Sequence, residues 1–211
     1  MLLLLPAGHE PPESAEELAG DALAPRAVSF DLAAAIRGLG HELRVLGVSD
    51  ELTPIRHAIQ GFEPHIVFNL LLDFQGAALY DAHVVSYLEL LKTPYTGCNP
   101  RGILLASDKV VAKKILAYHR IATPRFQAIP KGRRPRISKR LRYPLFVKTS
   151  VEHGSVGIAQ ASIVRDEESL RARVEFVHDN LGADAMVEEY IDGRELTIGV
   201  LGNERLQTLP I

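Results

Sequence analysis

Four stretches of the chain combine residue types that can do chemistry. Lys148 closes the apolar run Tyr-Pro-Leu-Phe-Val-Lys. A lysine at the end of a buried strand needs a counter-charge, and either a structural carboxylate or a bound phosphate supplies one. Next comes the loop from Glu152 through Gly154, Ser155, Val156 and Gly157. Its small residues let backbone N–H groups approach an anion, and the Ser155 hydroxyl adds a donor. The spacing of a P-loop is absent, so a plain turn is the competing reading. The third stretch runs from Val187 to Glu195 (VEEYIDGRE). Glu188 and Glu195 are acceptors for amino or ribose hydroxyl donors, while the Tyr190–Ile191 backbone offers amide hydrogen bonds; a solvated hairpin is the alternative. In the fourth, Asp108 stands at a helix N-terminus with Lys109 in the first turn, where a cation opposes the helix dipole unless an anion compensates.

These residues must be held by folded elements, and the pattern supplies them. The apolar run Leu2–Leu5 reads as a first buried strand, too short for a signal-peptide core and lacking a basic flank. A polar, proline-rich loop follows, with a helical turn at Ser14–Leu18. A helix spans Ala27–Leu39, with Val28, Leu32, Ala35, Ile36 and Leu39 on one face and Gly40 as its stop. The spacing then predicts a strand at Leu43–Val48, a helix at Leu52–Gln60 ended by Gly61, the strand HIVFNL, and a helix at Ala77–Leu91. Three such βα repeats make a doubly wound parallel sheet.

From Cys98 the pattern changes. Ser107 is expected to cap a helix running to about His119. Ile121–Gln127 is then extended, Pro124 forbidding helix; a strand covers Leu145–Lys148, and a helix Ser169–Val177. Ala185–Tyr190 and Glu195–Leu201 read as a hairpin joined by the turn IDGR. The fold class is therefore α/β, with an N-terminal doubly wound domain at 1–97 and an α+β region at 98–211.

Composition narrows the partners. A net charge of −2 gives no global attraction to nucleic acid. The segment Lys131–Arg142 has seven Lys or Arg in twelve residues but no interleaved aromatics, and reads as a solvated connection. The single cysteine, Cys98, excludes an internal disulfide and reads as structural, there being no base beside it. No apolar run is long enough to span a bilayer, and a cytoplasmic protein is expected.

The order of the pieces carries more than any one of them. VFNL, LELLKTPYTG, DK-x3-K-x2-L, I-x-TP, YPLFVK, G-S-V-G-I and VEEYIDGRE-x-T-IGVLG follow one another from about Pro64 to the C-terminus. This succession resembles the ATP-grasp carboxylate–amine ligases, and among them the D-alanine–D-alanine ligase group. The resemblance implies a preATP-grasp-like N-terminal domain followed by an ATP-grasp subdomain, incomplete at the C-terminus. It also implies ATP as cofactor and an amino-acid or other carboxylate substrate, with no nucleic-acid or membrane partner. By position Lys109 and Lys148 match the lysines that meet the nucleotide phosphates, and Glu188 matches the acceptor for the adenine amino group. Glu189, Tyr190 and Ile191 match the segment along the adenine ring, and Glu195 the carboxylate that holds the ribose hydroxyls. Glu152, Gly154, Ser155, Val156 and Gly157 match the closing loop, with Ser155 as its catalytic donor.

The chain departs from the family pattern twice. After the first strand the glycine-rich segment of the family is replaced by AGHEPPESAEE, so the first-substrate glutamate is unassigned among Glu10, Glu13 and Glu16. The chain stops at Ile211 without the acidic residues that bind magnesium in the resembling enzymes. Mg²⁺ is expected only with that region, no metal ligands are assigned here, and the chain alone is expected to be inactive. Another ATP-grasp amino-acid or peptide ligase, and a nucleotide-binding module without catalysis, are the alternative readings. Relatives of this type suggest a homodimer through the first domain.

Overall fold

The computed structural model describes residues 1–14, 16, 24–152 and 154–211. The helical turn expected at Ser14–Leu18 lies largely outside them. Strand β1 (Leu2–Pro6) is central in a parallel sheet, flanked by β2 (Arg44–Val48) and β3 (Val67–Asn69). Leu2 pairs with both Arg44 and Val67, which fixes the register on either side. Residues Leu2 to Leu5 are each at most 1% exposed, so both faces of β1 are covered. That is why the strand reads as a continuous apolar run instead of an alternation. Pro94–Thr96 extends the sheet: Val67 N–H donates to the Pro94 carbonyl and Thr96 N–H to the Val67 carbonyl.

Helix α1 (Ala24–Gly38) packs with a face that matches the expected one at Ile36 and, half-buried, at Leu32, and departs from it elsewhere. Ser29, Ala33 and Ile36 are buried, whereas Val28 and Leu39 are exposed. Small side chains at 29 and 33 allow close approach, and the Ser29 hydroxyl donates to the His9 carbonyl at 2.7 Å, tying the helix to the loop after β1. Helix α2 (Thr53–Phe62) runs past Gly61 and stops at Glu63, which takes a left-handed φ of 46° just before Pro64. Proline at that point forbids continuation, so it and not the glycine sets the end. A 3₁₀ turn (Ala78–Tyr80) leads into α3 (Asp81–Leu90). The core of this half gathers Leu2, Leu4, Ile55, Val67, Val84 and Leu88.

The helix expected from Ser107 to about His119 is present, with its cap one residue later, and a second helix not expected from the sequence precedes it. Asn99 caps α4 (Pro100–Ser107) by accepting from Gly102 N–H, with Pro100 in the first turn. Ser107 is thus a last residue, and it is buried. Asp108 is the cap of α5 (Lys109–Tyr118), its carboxylate accepting from Val110 and Val111 N–H. Asn-Pro at 99–100 is the start signal that reveals α4.

The second sheet is antiparallel, in the order β4 (Phe126–Ile129), β7 (Ala185–Glu189), β5 (Leu145–Thr149), β6 (Ile163–Val164). Helix α6 (Glu167–Asn180) covers one face, burying Leu170, Val174 and Val177 against Leu145, Val147 and Val187. Burial of each such side chain contributes about 1.5–3 kcal/mol. The peptide bond between Tyr143 and Pro144, just before β5, is cis.

The hairpin expected from Ala185–Tyr190 and Glu195–Leu201 does not form. Residues 192–199 belong to no strand, and β8 (Val200–Leu201) instead pairs with β9 (Gln207–Thr208). Gly193 and the polar Asp192–Arg194 release the chain from the sheet, and everything from Ile191 onward is exposed. Among the described residues, no helix is long and apolar enough to cross a membrane.

Candidate functional site

The face of the antiparallel sheet turned away from α6 carries the chemistry. In β5, Leu145, Val147 and Thr149 point into the core, so Phe146 and Lys148 point the other way by strand alternation. The register sets Glu188 on β7 directly between Phe126 of β4 and Phe146 of β5. Lys148, two residues beyond Phe146, lies on the same face. Its Nζ meets Glu188 Oε1 at 2.6 Å. The other oxygen, Oε2, accepts from Lys113 Nζ of α5.

One carboxylate therefore bridges two ammonium groups, and all three are largely withdrawn from solvent. Glu188 and Lys113 are each 8% exposed. Burial alone pushes the Glu188 carboxyl upward, but hydrogen bonds from Lys113 and Lys148 outweigh it, and the group lies below its ordinary value. The carboxylate counter-charge that a strand-closing lysine calls for is thus present at Lys148. Lys113 is a site residue that the sequence reading does not contain, although the spacing DK-x3-K puts it one turn after Lys109 on the same helix face.

Lys109 arrives by a backbone link. Its N–H donates to the Ser150 carbonyl at 2.9 Å, docking the start of α5 beside the end of β5. Its Nζ donates to the Glu152 carbonyl. Burial first, then repulsion by Lys148, pulls the Lys109 ammonium below its usual value, with Glu152 and Asp108 opposing. Lys109, Lys148, Thr149, Glu152, Gly154, Ser155, Val156 and Ile158 border one cavity of about 290 Å³, together with Ala106. Larger cavities lie elsewhere, including one of about 580 Å³ lined by Met1, His41, Phe62 and His65. That one has neither the paired lysines nor the glycine loop.

The loop bordering the cavity is tightly turned. Gly154, Ser155 and Gly157 have φ of 62°, 61° and 71°. A Cβ at Gly157 would meet Leu181 Cδ1 at 2.3 Å, so glycine there answers both to conformation and to packing. At its far end the loop is pinned by Arg173 of α6, whose guanidinium donates to the Gly157 carbonyl and, at 2.9 Å, to Ser162 Oγ.

Not every expected site residue joins this cluster. Glu189 faces the opposite side of β7 from Glu188 and accepts from Arg142 N–H at 3.1 Å. The Tyr190 N–H, expected to be free for a ligand, donates to the Pro144 carbonyl, and its ring stacks on Phe146 at 6.5 Å. Ile191 is 67% exposed, and Glu195 lies in the strand-free, exposed stretch. Glu10 accepts from Gly8 N–H at 2.7 Å and so closes its own turn. Cys98 is exposed, one residue before the α4 cap. The basic stretch forms solvated turns held by backbone contacts, such as Gln127 Nε2 donating to the Arg136 carbonyl. Among the described residues, no group of three or more His, Cys, Asp or Glu is placed to hold a metal.

Residues 112–211 match the family model described as "D-ala D-ala ligase C-terminus". The D-alanine–D-alanine ligase of Syntrophotalea carbinolica is 42% identical over 134 residues, 62% of this chain and 41% of that protein. The Moorella thermoacetica D-alanine–D-alanine ligase is 31% identical over 188 residues, 85% of this chain and 58% of that protein. The chain thus spans about half the length of the curated relatives it matches. In fold it superposes on the Bacillus anthracis D-alanine–D-alanine ligase complexed with ATP, with a TM-score of 0.64 at 23% identity, over 91% of this chain and 57% of the other. A parallel sheet joined to an antiparallel sheet with a lysine-lined face and a glycine loop is thereby the ATP-grasp fold. Within that class, the chain is similar to the D-alanine–D-alanine ligases over the stretches given.

Proposed function

We propose that this chain is the nucleotide-holding part of an ATP-dependent carboxylate–amine ligase of the D-alanine–D-alanine ligase type. One observation carries the reading. Lys109 and Lys148 border a single cavity together with the glycine-containing loop, and Lys148 is bonded to an acidic acceptor, Glu188. Two ammonium groups that border one cavity are stabilised together by a polyphosphate. Glu188 then takes the adenine amino group, Tyr190 and Ile191 line the base, and Glu195 takes the ribose hydroxyls once the 190–199 segment folds over. Gly154, Val156 and Gly157 shape the loop, and Ser155 donates to the terminal phosphate.

In a protein of the relatives' length, the reaction joins a carboxylate to an amine in two steps. A carboxylate oxygen attacks the γ-phosphorus and ADP leaves, forming an acyl phosphate. The amine then attacks the acyl carbon, releasing phosphate and a proton and leaving an amide. The loop's part is to exclude water, which would hydrolyse the acyl phosphate. The groups assigned a part here are ammonium, hydroxyl and backbone N–H donors. The substrate-binding glutamate is unassigned, and the substrate is left at an amino acid or other carboxylate. We further place residues 1–97 and 98–211 as two domains, the first pairing two copies, in a cytoplasmic setting where ATP is supplied.

Calorimetric titration of the 211-residue chain with ATP and with ADP tests the reading. One saturable site is expected, weaker for ADP. Absence of binding at millimolar ATP removes it.

A further inference from the structure

Glu188 is claimed twice under the nucleotide-site reading, and the conflict has a structural solution. Its Oε1 holds Lys148 and its Oε2 holds Lys113. A phosphate in the cavity draws the Lys148 ammonium away from Oε1 and leaves that oxygen open to a base. The Lys148 side chain is suited to move: it is 23% exposed and borders the 290 Å³ cavity. Lys113 is not. Its side chain is 10% exposed, it does not border that cavity, and its Nζ lies 5.3 Å from the centre of the Phe126 ring. Phe126 is paired across the sheet with Glu188 itself, so Lys113, Phe126 and Glu188 form one packed unit.

We infer that Lys113 is a positioning residue for purine selection: it fixes Glu188 through Oε2, so that Oε1, vacated by Lys148, faces the base as a pure acceptor. Such an acceptor takes a hydrogen bond from a 6-amino purine and gives none to a 6-oxo purine. Without Lys113 the buried carboxyl takes up a proton more readily once Lys148 departs, and a protonated carboxyl donates to a 6-oxo group. Selectivity, and not only affinity, therefore depends on a residue that touches no nucleotide. This rests on the nucleotide-site reading above, and it adds a residue and a discriminating chemistry to it.

The test titrates ATP and inosine triphosphate into the full chain, as wild type, Lys113→Met and Lys113→Arg, at neutral pH. Methionine keeps length and the packing on Phe126 but removes the charge. The expected result is an ATP preference in wild type, a loss of about tenfold in the ATP-to-ITP ratio for K113M, and recovery in K113R. A ¹³C-carboxyl titration should place the Glu188 group higher in K113M than in wild type. If K113M fails to fold, Lys113→Gln, which retains an uncharged donor, carries the same comparison. An unchanged ratio, or equal weakening of both nucleotides, overturns the inference while leaving the nucleotide site standing. Wild type that binds neither nucleotide overturns both.

Discussion

Replacing Glu188 by alanine is expected to lower the unfolding free energy by about 3–5 kcal/mol at neutral pH, the largest effect of any single polar substitution in this chain. The carboxylate is the shared partner of two lysines, and one of them, Lys113, is 8% exposed. Alanine leaves an ammonium with no acceptor at the face of the sheet, where water does not replace what is lost. The pH dependence follows from the direction of the Glu188 shift. Its folded-state value is depressed, because the two lysine hydrogen bonds outweigh the upward push of burial. A depressed carboxyl contributes stability that is fully present above the unfolded value, near 4.3, and is lost as pH falls through the folded value. Wild type should therefore lose stability as the solution is acidified through and below the ordinary glutamate range. The alanine variant should show a shallower decline, so the gap between them narrows in acid. Urea unfolding at pH 7, 5 and 3.5 measures this. A gap under 1 kcal/mol at pH 7, or one that is the same at all three, contradicts the bridged arrangement.

Replacing Lys148 by methionine should separate binding from folding. Lys113 still neutralises Glu188, so the stability loss should be well below that of the alanine variant at 188. Nucleotide binding should suffer instead. A charged hydrogen bond to a phosphate is worth about 1.5–3 kcal/mol, which corresponds to a roughly 10- to 150-fold weaker Kd for ATP. Adenosine has no phosphates to lose. Its affinity should hold or improve, because Glu188 Oε1 no longer carries Lys148. Parallel titrations with ATP and adenosine read the contrast, and equal weakening of both would place Lys148 among the structural supports instead of the phosphate ligands.

What the sequence showed and what it hid have separate physical origins. The buried strands are legible because a short apolar run bounded by turn residues is stable in water only when a sheet and its covering layers bury it; β1, β3 and β5 lie close to their expected spans. The helix at 100–107 is hidden because Asn-Pro serves a turn as readily as a cap, which shifts the apparent start of α5 to Ser107. The buried face of α1 keeps Ile36 of the expected one but is completed by the small residues Ser29 and Ala33, while Val28 and Leu39 are exposed. At the site, Lys148 and Glu188 stand out singly, but their mutual bond does not. Strand register determines it, and register is set by pairing that a single segment does not encode. Lys113 escapes for a related reason: a lysine within an amphipathic helix looks solvated until the sheet beneath it supplies a carboxylate. The hairpin expected at 185–201 does not form: Leu196, Ile198 and Val200 carry the alternation of a strand, but the chain leaves the sheet after Glu189 and these side chains are exposed.

The central claim is that a nucleotide lies between Lys109 and Lys148 with its base toward Glu188. Amide chemical-shift mapping during an ATP titration of the isotopically labelled chain tests it most directly. Saturable shifts are expected, concentrated at Lys109, Lys148, residues 154–157 and residues 188–191, fitting one dissociation constant. No shifts at millimolar ATP, or shifts centred on the basic turns at 131–142, would contradict it.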